Sequence, residues 1–149
     1  MVGFSSLNFN LDQMNKIIFF FFLLASGLHL DAQTIEYSKN SLSAFITPEG
    51  ILKGTTGVAA GYILPNGTIK NALHVTIGSI GNNGEIKNAS DIIKGYVSPE
   101  GVVKNELQVV VGYIKNDGSV QNELGNKIGN APGVPNTWAA ICYFFYKVN

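Results

Sequence analysis

GYVSPEGVVKNELQVVV (95–111) runs without a break into GYIKNDGSVQNELGNKI (112–128). The two stretches share one frame: Gly-Tyr, an aliphatic residue, a turn ending in glycine, a second aliphatic residue, Lys or Gln, then Asn-Glu-Leu. The frame extends backwards through AFITPEGILKGTTGVAA (44–60), GYILPNGTIKNALHVTI (61–77) and GSIGNNGEIKNASDIIK (78–94). Its turn glycines, Gly50, Gly67, Gly84, Gly101 and Gly118, stand seventeen residues apart. Asn-Gly and Asp-Gly between β-branched residues mark tight hairpins, because the turn needs positive φ. A fixed period of this length marks a repeat architecture, in which each unit buries its apolar face against the others.

Aligning the five units separates the positions by job. One apolar column is Ile46, Ile63, Ile80, Val97 and Ile114; a second, across the turn, is Leu52, Ile69, Ile86, Val103 and Val120. Neither has a polar exception, so both are expected to face the core. A third column, Val58, Val75, Ile92 and Val109, is lost at Asn126, as suits an atypical terminal unit. Position one holds Ala44, Gly61, Gly78, Gly95 and Gly112. It lies two residues from the inward Ile column, so a period-2 strand puts it on the same face. Glycine inside a strand weakens it and signals close approach of another group.

The approaching group is sought at the C-terminus. After the turn formers GNAPGVPN (129–136) comes TWAAICYFFY (137–146), apolar all round. A helix of that kind must be buried. Ten residues of helix span about 15 Å, too short for a bilayer core of about 30 Å. The expectation is a plug helix over 137–147 in the middle of a ring of hairpins, with Asn136 or Thr137 as its cap and Lys147 at its negative end. The competing reading of this segment is an antiparallel strand, since Ile, Tyr and Phe favour sheets.

Five in-phase hairpins followed by an Ala-rich, aromatic segment resemble the bacterial β-flower proteins of the five-fold type. The resemblance covers 44–146 and implies a closed pseudo-five-fold ring of hairpins around a short hydrophobic C-terminal helix. It implies secretion from a bacterium and brings no activity with it. Ser79 departs from the aromatic of Tyr62, Tyr96 and Tyr113, and Ala44-Phe45 departs from Gly-Tyr. Thr34-Ile35-Glu36 is in phase with the second strand of a unit and Gly129-Asn130-Ala131 with the first. These half-units either pair to latch the ring or leave Thr34–Glu36 as an edge strand.

The remaining chain reads as an address. MNKIIFFFFLLASGLHLDAQ (14–33) has a Lys, an apolar run from Ile17 to Leu24, small residues, and a plausible cleavage point after Ala32. That is the pattern of a secretory signal over residues 1–32, with Met14 as the expected start. A membrane anchor is the competing reading, but Asp31 and His29 interrupt it early. The expected location is thus extracytoplasmic: periplasm, cell surface or medium.

Composition narrows the function. Ten Lys and no Arg face ten acidic residues, and charged residues are only 13% of the chain. Without Arg or a basic excess there is no footprint for nucleic acid. One Cys allows no internal disulfide and no multi-Cys zinc cluster. Lys53, Lys70, Lys87 and Lys104 form a column followed by Asn71, Asn88, Asn105 and Asn122. In a ring they would make a crown for an anion or polar glycan; otherwise Lys is the wet face of a strand and Asn closes a turn. Tyr62, Tyr96 and Tyr113 either stack on sugar rings or glue neighbouring hairpins. His74 has no ligand-forming neighbour in sequence, and Cys142 sits among apolar residues as a small hydrophobe. Gly54-Thr55-Thr56-Gly57 and Gly78-Ser79-Ile80-Gly81 open no helix, so neither is a phosphate cradle. Glu49, Glu100 and Asp117 lie one per unit, too dispersed for paired-carboxylate hydrolysis. No catalytic, metal or cofactor residues are therefore expected. The chain reads as a secreted, non-enzymatic structural or binding protein, with a glycan or envelope protein as the kind of partner and the membrane met only through the signal. The alternatives are a glycan module using the Lys/Asn and Tyr columns, or a membrane-active protein using 137–146.

Overall fold

Alternating inward and outward residues, broken every few positions by a turn, produce one continuous antiparallel meander. The computed structural model describes residues 33–37 and 43–146, so the expected signal over 1–32 and the helix end at Lys147 lie outside the described residues. The first six strands are β1 (Gln33–Tyr37), β2 (Ser43–Ile46), β3 (Ile51–Lys53), β4 (Ala59–Ile63), β5 (Thr68–Asn71) and β6 (Thr76–Ile80). The next six are β7 (Glu85–Asn88), β8 (Ile93–Val97), β9 (Val102–Asn105), β10 (Val110–Ile114), β11 (Ser119–Asn122) and β12 (Lys127–Asn130). Each pairs with its chain neighbours, and β1 closes on β12 through Glu36 opposite Asn130 and Tyr37 opposite Gly129. The two terminal half-units do latch the barrel.

The latch changes the count of wall elements. Five whole hairpins, β2–β3 to β10–β11, are joined by a sixth assembled from β12 and β1. Ile35 takes the sixth place in the Leu52 column and Ala131 the sixth in the Ile46 column; both are buried. The other members of the two columns are also buried, except Ile80, which is half-buried.

Each unit makes two turns that obey different constraints. At the first, Gly67 N–H donates to Leu64 O at 2.9 Å, and Ile80 N–H donates to Gly67 O at 2.8 Å. Gly67 has φ +83°, and a Cβ there would lie 2.6 Å from the Ile80 carbonyl oxygen. Conformation and space both demand glycine. At the second turn His74 N–H donates to Asn71 O at 3.0 Å. The left-handed residue is now His74, Asp91 or Gln108 in three units, with φ of 61–63°. Only conformation is at stake there, because a Cβ on the corresponding Gly57 or Gly125 would meet nothing within 4 Å. After each second turn the register shifts by one residue: Leu52 pairs with Gly61, but Lys53 pairs with Ala59. Such a bulge sharpens the coiling that closes the barrel.

Twelve strands about 4.8 Å apart, tilted about 40°, enclose a backbone cylinder roughly 24 Å across. Wall side chains alone fill only the width of about eight strands. The C-terminal segment supplies the rest. Helix α1 (Asn136–Ala140) continues as a π-helical turn, Ile141–Phe145, closed by Tyr146 N–H donating to Ile141 O at 2.8 Å. Helical structure thus runs from Asn136 to Phe145, and Tyr146 is already extended (φ −129°, ψ 100°). The cap position is Pro135, with no side-chain cap, and Asn136 instead donates from Nδ2 to Pro99 O at 3.0 Å. Ala139, Ala140, Ile141 and Cys142 are the fully buried part of the plug. Trp138, Phe144 and Phe145 are half-buried against the core, Trp138 beside the first-turn Gly50 and the two Phe rings against Gly112 and Gly95.

Candidate functional site

Inside the barrel, aromatic residues occupy the places that glycine leaves open. A Cβ on Gly95 would lie 2.5 Å from Phe145 Cζ, and one on Gly112 would lie 2.5 Å from Phe144 Cε1. Gly129 meets the Tyr143 ring in the same way, and Gly78 meets the Tyr146 hydroxyl. Four consecutive residues, 143 to 146, therefore seat on four successive units in reverse order. Six wall units divide the circle into steps of about 60°, whereas an α-helix advances about 100° per residue. Widening to i→i+5 bonding cuts that step to on the order of 80°, nearer to what the glycine seats require.

Hydrogen bonds fix both tyrosines. The Tyr143 hydroxyl lies within bonding reach of the Glu36 and Asn130 carbonyl oxygens and accepts from Asn130 N–H at 3.0 Å, which ties the plug to the β1–β12 closure. The Tyr146 hydroxyl reaches Lys87 O at 2.9 Å and Ile77 O at 3.2 Å. Burial pushes the Tyr143 phenol from 10.0 up to about 12 and the Cys142 thiol from 9.0 up to about 12. A thiol held protonated is a poor nucleophile. Among the described residues no group of three His, Cys, Asp or Glu could hold a metal ion, and no buried side-chain polar atom lacks a hydrogen-bond partner.

The outer wall carries the Lys and Tyr columns as cross-strand pairs: Tyr62 opposite Lys70, Tyr96 opposite Lys104, and Tyr113 opposite Gln121. Phe45 opposes Lys53, and Ser79 opposes Lys87. The lysines alternate with buried column-two residues, so they ring the outside wall. Lys87 differs from the others, lying 3.3 Å from Asp91 and 3.6 Å from Glu85. The Tyr62 ring stacks on His74 with centroids 4.3 Å apart, and Lys115 Nζ lies 4.9 Å from the Tyr113 centroid. Glu49, Glu100 and Asp117 are held below the usual carboxylate range by hydrogen bonds within their own turns, from Thr47, Ser98 and Ser119.

The third apolar column proves to be surface. Val58, Val75, Ile92 and Val109 are 56–68% exposed, and Leu73, Leu107 and Leu124 beside them are 76–81% exposed. All seven belong to the second turns, so they form an apolar rim at the end of the barrel away from Trp138. Their backbone is tightly held. Asn71 Oδ1 accepts from Leu73 N–H and Val75 N–H, both at 3.0 Å, and Asn88, Asn105 and Asn122 repeat the arrangement. Sequence reasoning missed the rim, because the left-handed residue before Val58 and its equivalents and the bulge after them break the period-2 count that places a strand residue on a face.

A family model described as "5-fold beta-flower protein" matches residues 32–147. No curated protein and no solved structure matches the chain.

Proposed function

Since the chain belongs to the 5-fold β-flower family, we propose that it is an exported, non-enzymatic structural or binding module that meets its partners with its outer surface. The filled lumen carries this reading: four aromatic residues sit on four glycine seats, leaving the barrel interior to packing. Cys142, the one thiol of the chain, is buried, and burial pushes its pKa up to about 12. Export rests on the apolar run Ile17–Leu24 and the small residues after it. The membrane-active alternative would have to unseat 143–146 and break the hydrogen bonds of Tyr143 and Tyr146. Glycan binding keeps one specific support, the outward pairing of Tyr96 with Lys104.

Expression of the untagged chain in a bacterial host, followed by fractionation and intact mass, tests export. The expected species lacks residues 1–32 and is recovered outside the cytoplasm. A full-length chain confined to the cytoplasm overturns it. On a glycan array, Tyr96→Ala separates the two binding surfaces: signal lost with this variant assigns binding to the wall.

A further inference from the structure

We propose that the apolar rim is a self-association surface, on which two copies of this chain meet end to end about a two-fold axis. The inference rests on reading the protein as a module that binds through its exterior, and it names the partner. Three features of the rim support a second copy.

The first is area. Exposures of 76–81% at Leu73, Leu107 and Leu124 and of 56–59% at Val75, Ile92 and Val109 amount to on the order of 700 Å² of residue surface, carried by four successive turns of one rim. Roughly 800 Å² per partner is the size of a standard stable interface. A rim-to-rim dimer that covers these six residues and the charged residues beside them approaches that size.

The second is charge. The same turns and the strand ends beside them expose Glu106 and Glu123 together with Lys94 and Lys127, while Asp91 is paired with Lys87 of its own chain. Two acids against two bases, beside that internal pair, leave the rim neutral and of mixed sign. A two-fold axis can set acids of one copy against lysines of the other, since an isologous contact pairs each patch with itself. An anionic lipid surface would instead repel the carboxylates next to Leu107 and Leu124.

The third is preorganisation. The Asn side chains hold each tip by two backbone amides, so little ordering remains to be done on contact. A contact of this kind closes at two copies and does not propagate into fibres.

Sedimentation velocity on the full chain as purified from its producing cells tests the proposal. The wild type should sediment at twice the monomer mass, half-dimerised at about 10 µM or below. Leu107→Glu with Leu124→Glu should weaken the dimer at least about 100-fold, with Trp138 emission and melting unchanged. Pro65→Glu, on an exposed first turn, should dimerise as the wild type does. A wild type that stays monomeric at about 100 µM overturns the proposal, as does a dimer indifferent to the rim variants. Flotation with phosphatidylcholine–phosphatidylglycerol vesicles, lost in the double Glu variant and without dimers in solution, would reassign the rim to lipid and also overturn it. None of these results moves the export measurement, so failure of this inference and failure of the proposed function remain distinguishable.

Discussion

Adding one methyl group to a glycine seat should cost far more under an aromatic residue than beside one left open. Gly95 and Gly61 occupy the same position of two units, the fourth and the second, each two residues before a buried Val97 or Ile63. At Gly61 a Cβ would lie 2.9 Å from Lys70 O, a milder strand contact than at Gly95, and 3.6 Å from Leu52 Cδ1, with no aromatic ring against it. At Gly95 it would lie 2.5 Å from Phe145 Cζ, with Cε1 and Lys104 O closer still. Ordinary contact needs about 3.4 Å or more, so the Phe145 ring must retreat by about 1 Å inside a close-packed lumen. Overpacking of that size costs about 2–3 kcal/mol, against about 0.5–1 kcal/mol gained by replacing glycine in a strand. Gly95→Ala should therefore lose about 2 kcal/mol and melt about 8 °C lower, whereas Gly61→Ala should stay within about 1 kcal/mol of the parent. Urea unfolding followed by far-ultraviolet circular dichroism and Trp138 emission measures both. Phe145→Leu in the Gly95→Ala background should recover about 1 kcal/mol, because Leu can move aside while Lys104 O cannot. Equal losses at the two glycines, or no coupling with position 145, would refute the aromatic-on-glycine seating.

The two kinds of turn should respond in opposite ways: Gly125→Asn, in open space at φ +81°, should be within about 0.5 kcal/mol of neutral, whereas Gly84→Asn should cost several kcal/mol, because its Cβ would meet the Val97 carbonyl; thermal melts of the pair decide. Asn105→Ala removes the acceptor for Leu107 N–H and Val109 N–H and should cost about 1 kcal/mol, with faster amide exchange confined to that turn. Tyr143→Phe takes the hydroxyl from between Glu36 and Asn130 and should cost about 1–2 kcal/mol, read as early exchange in β1 and β12. Alkali should unfold the barrel through groups whose folded affinity for the proton is raised. Cys142 rises from 9.0 to about 12, so its contribution is complete below pH 9 and fades toward pH 12, by on the order of 4 kcal/mol. The half-buried Tyr143 adds a smaller, solvent-discounted part above pH 10. A urea midpoint flat from pH 8 to 11.5, or rapid alkylation of Cys142 at pH 8, would contradict the burial of the plug.

Periodicity made the wall legible because every seventeenth residue meets the same environment. The Ile and Leu columns, the turn glycines, the empty seats at position one and the phase of the two half-units are local patterns repeated until chance is excluded. Three features were hidden for physical reasons. The cap of α1 could not be read from Asn136, because that side chain is taken by Pro99 O, thirty-seven residues away in sequence. The π-helical turn follows from the angular spacing of the wall units around the plug, a property of the closed ring and of no single segment. The position-15 column reads as a third core stripe if apolarity alone is counted. Its place is set by the left-handed residue before it and the bulge after it, and both disturb a period-2 count. For the candidate surfaces, the sequence reading named the Lys and Tyr columns and placed them on strand faces, but it passed over the leucines of the second turns.

The contrast between the two ends of the barrel bears on where binding is written. At the first turns a Cβ on Gly50, Gly67, Gly84 or Gly101 would strike a carbonyl of the following unit, so the residue is dictated by the ring. At the second turns the left-handed position is open at Gly57 and Gly125, stacks on the outer wall as His74 and pairs with Lys87 as Asp91, so the units vary it from Gly57 through His74, Asp91 and Gln108 to Gly125. The residue one step earlier varies too, from Thr56 to Leu73, Ser90, Leu107 and Leu124, while Asn holds the backbone still in four of the five turns. A turn whose conformation is guaranteed by one side chain and whose tip contacts nothing inside the barrel can change without cost to the fold. Exposed leucines at such tips bring no packing stability to this barrel. Their apolar surface favours folding only when something else covers it. That separates the rim from the outer wall, where the Lys and Tyr pairs already contribute cross-strand contacts of their own, and it makes the rim the part of the molecule best explained by a partner.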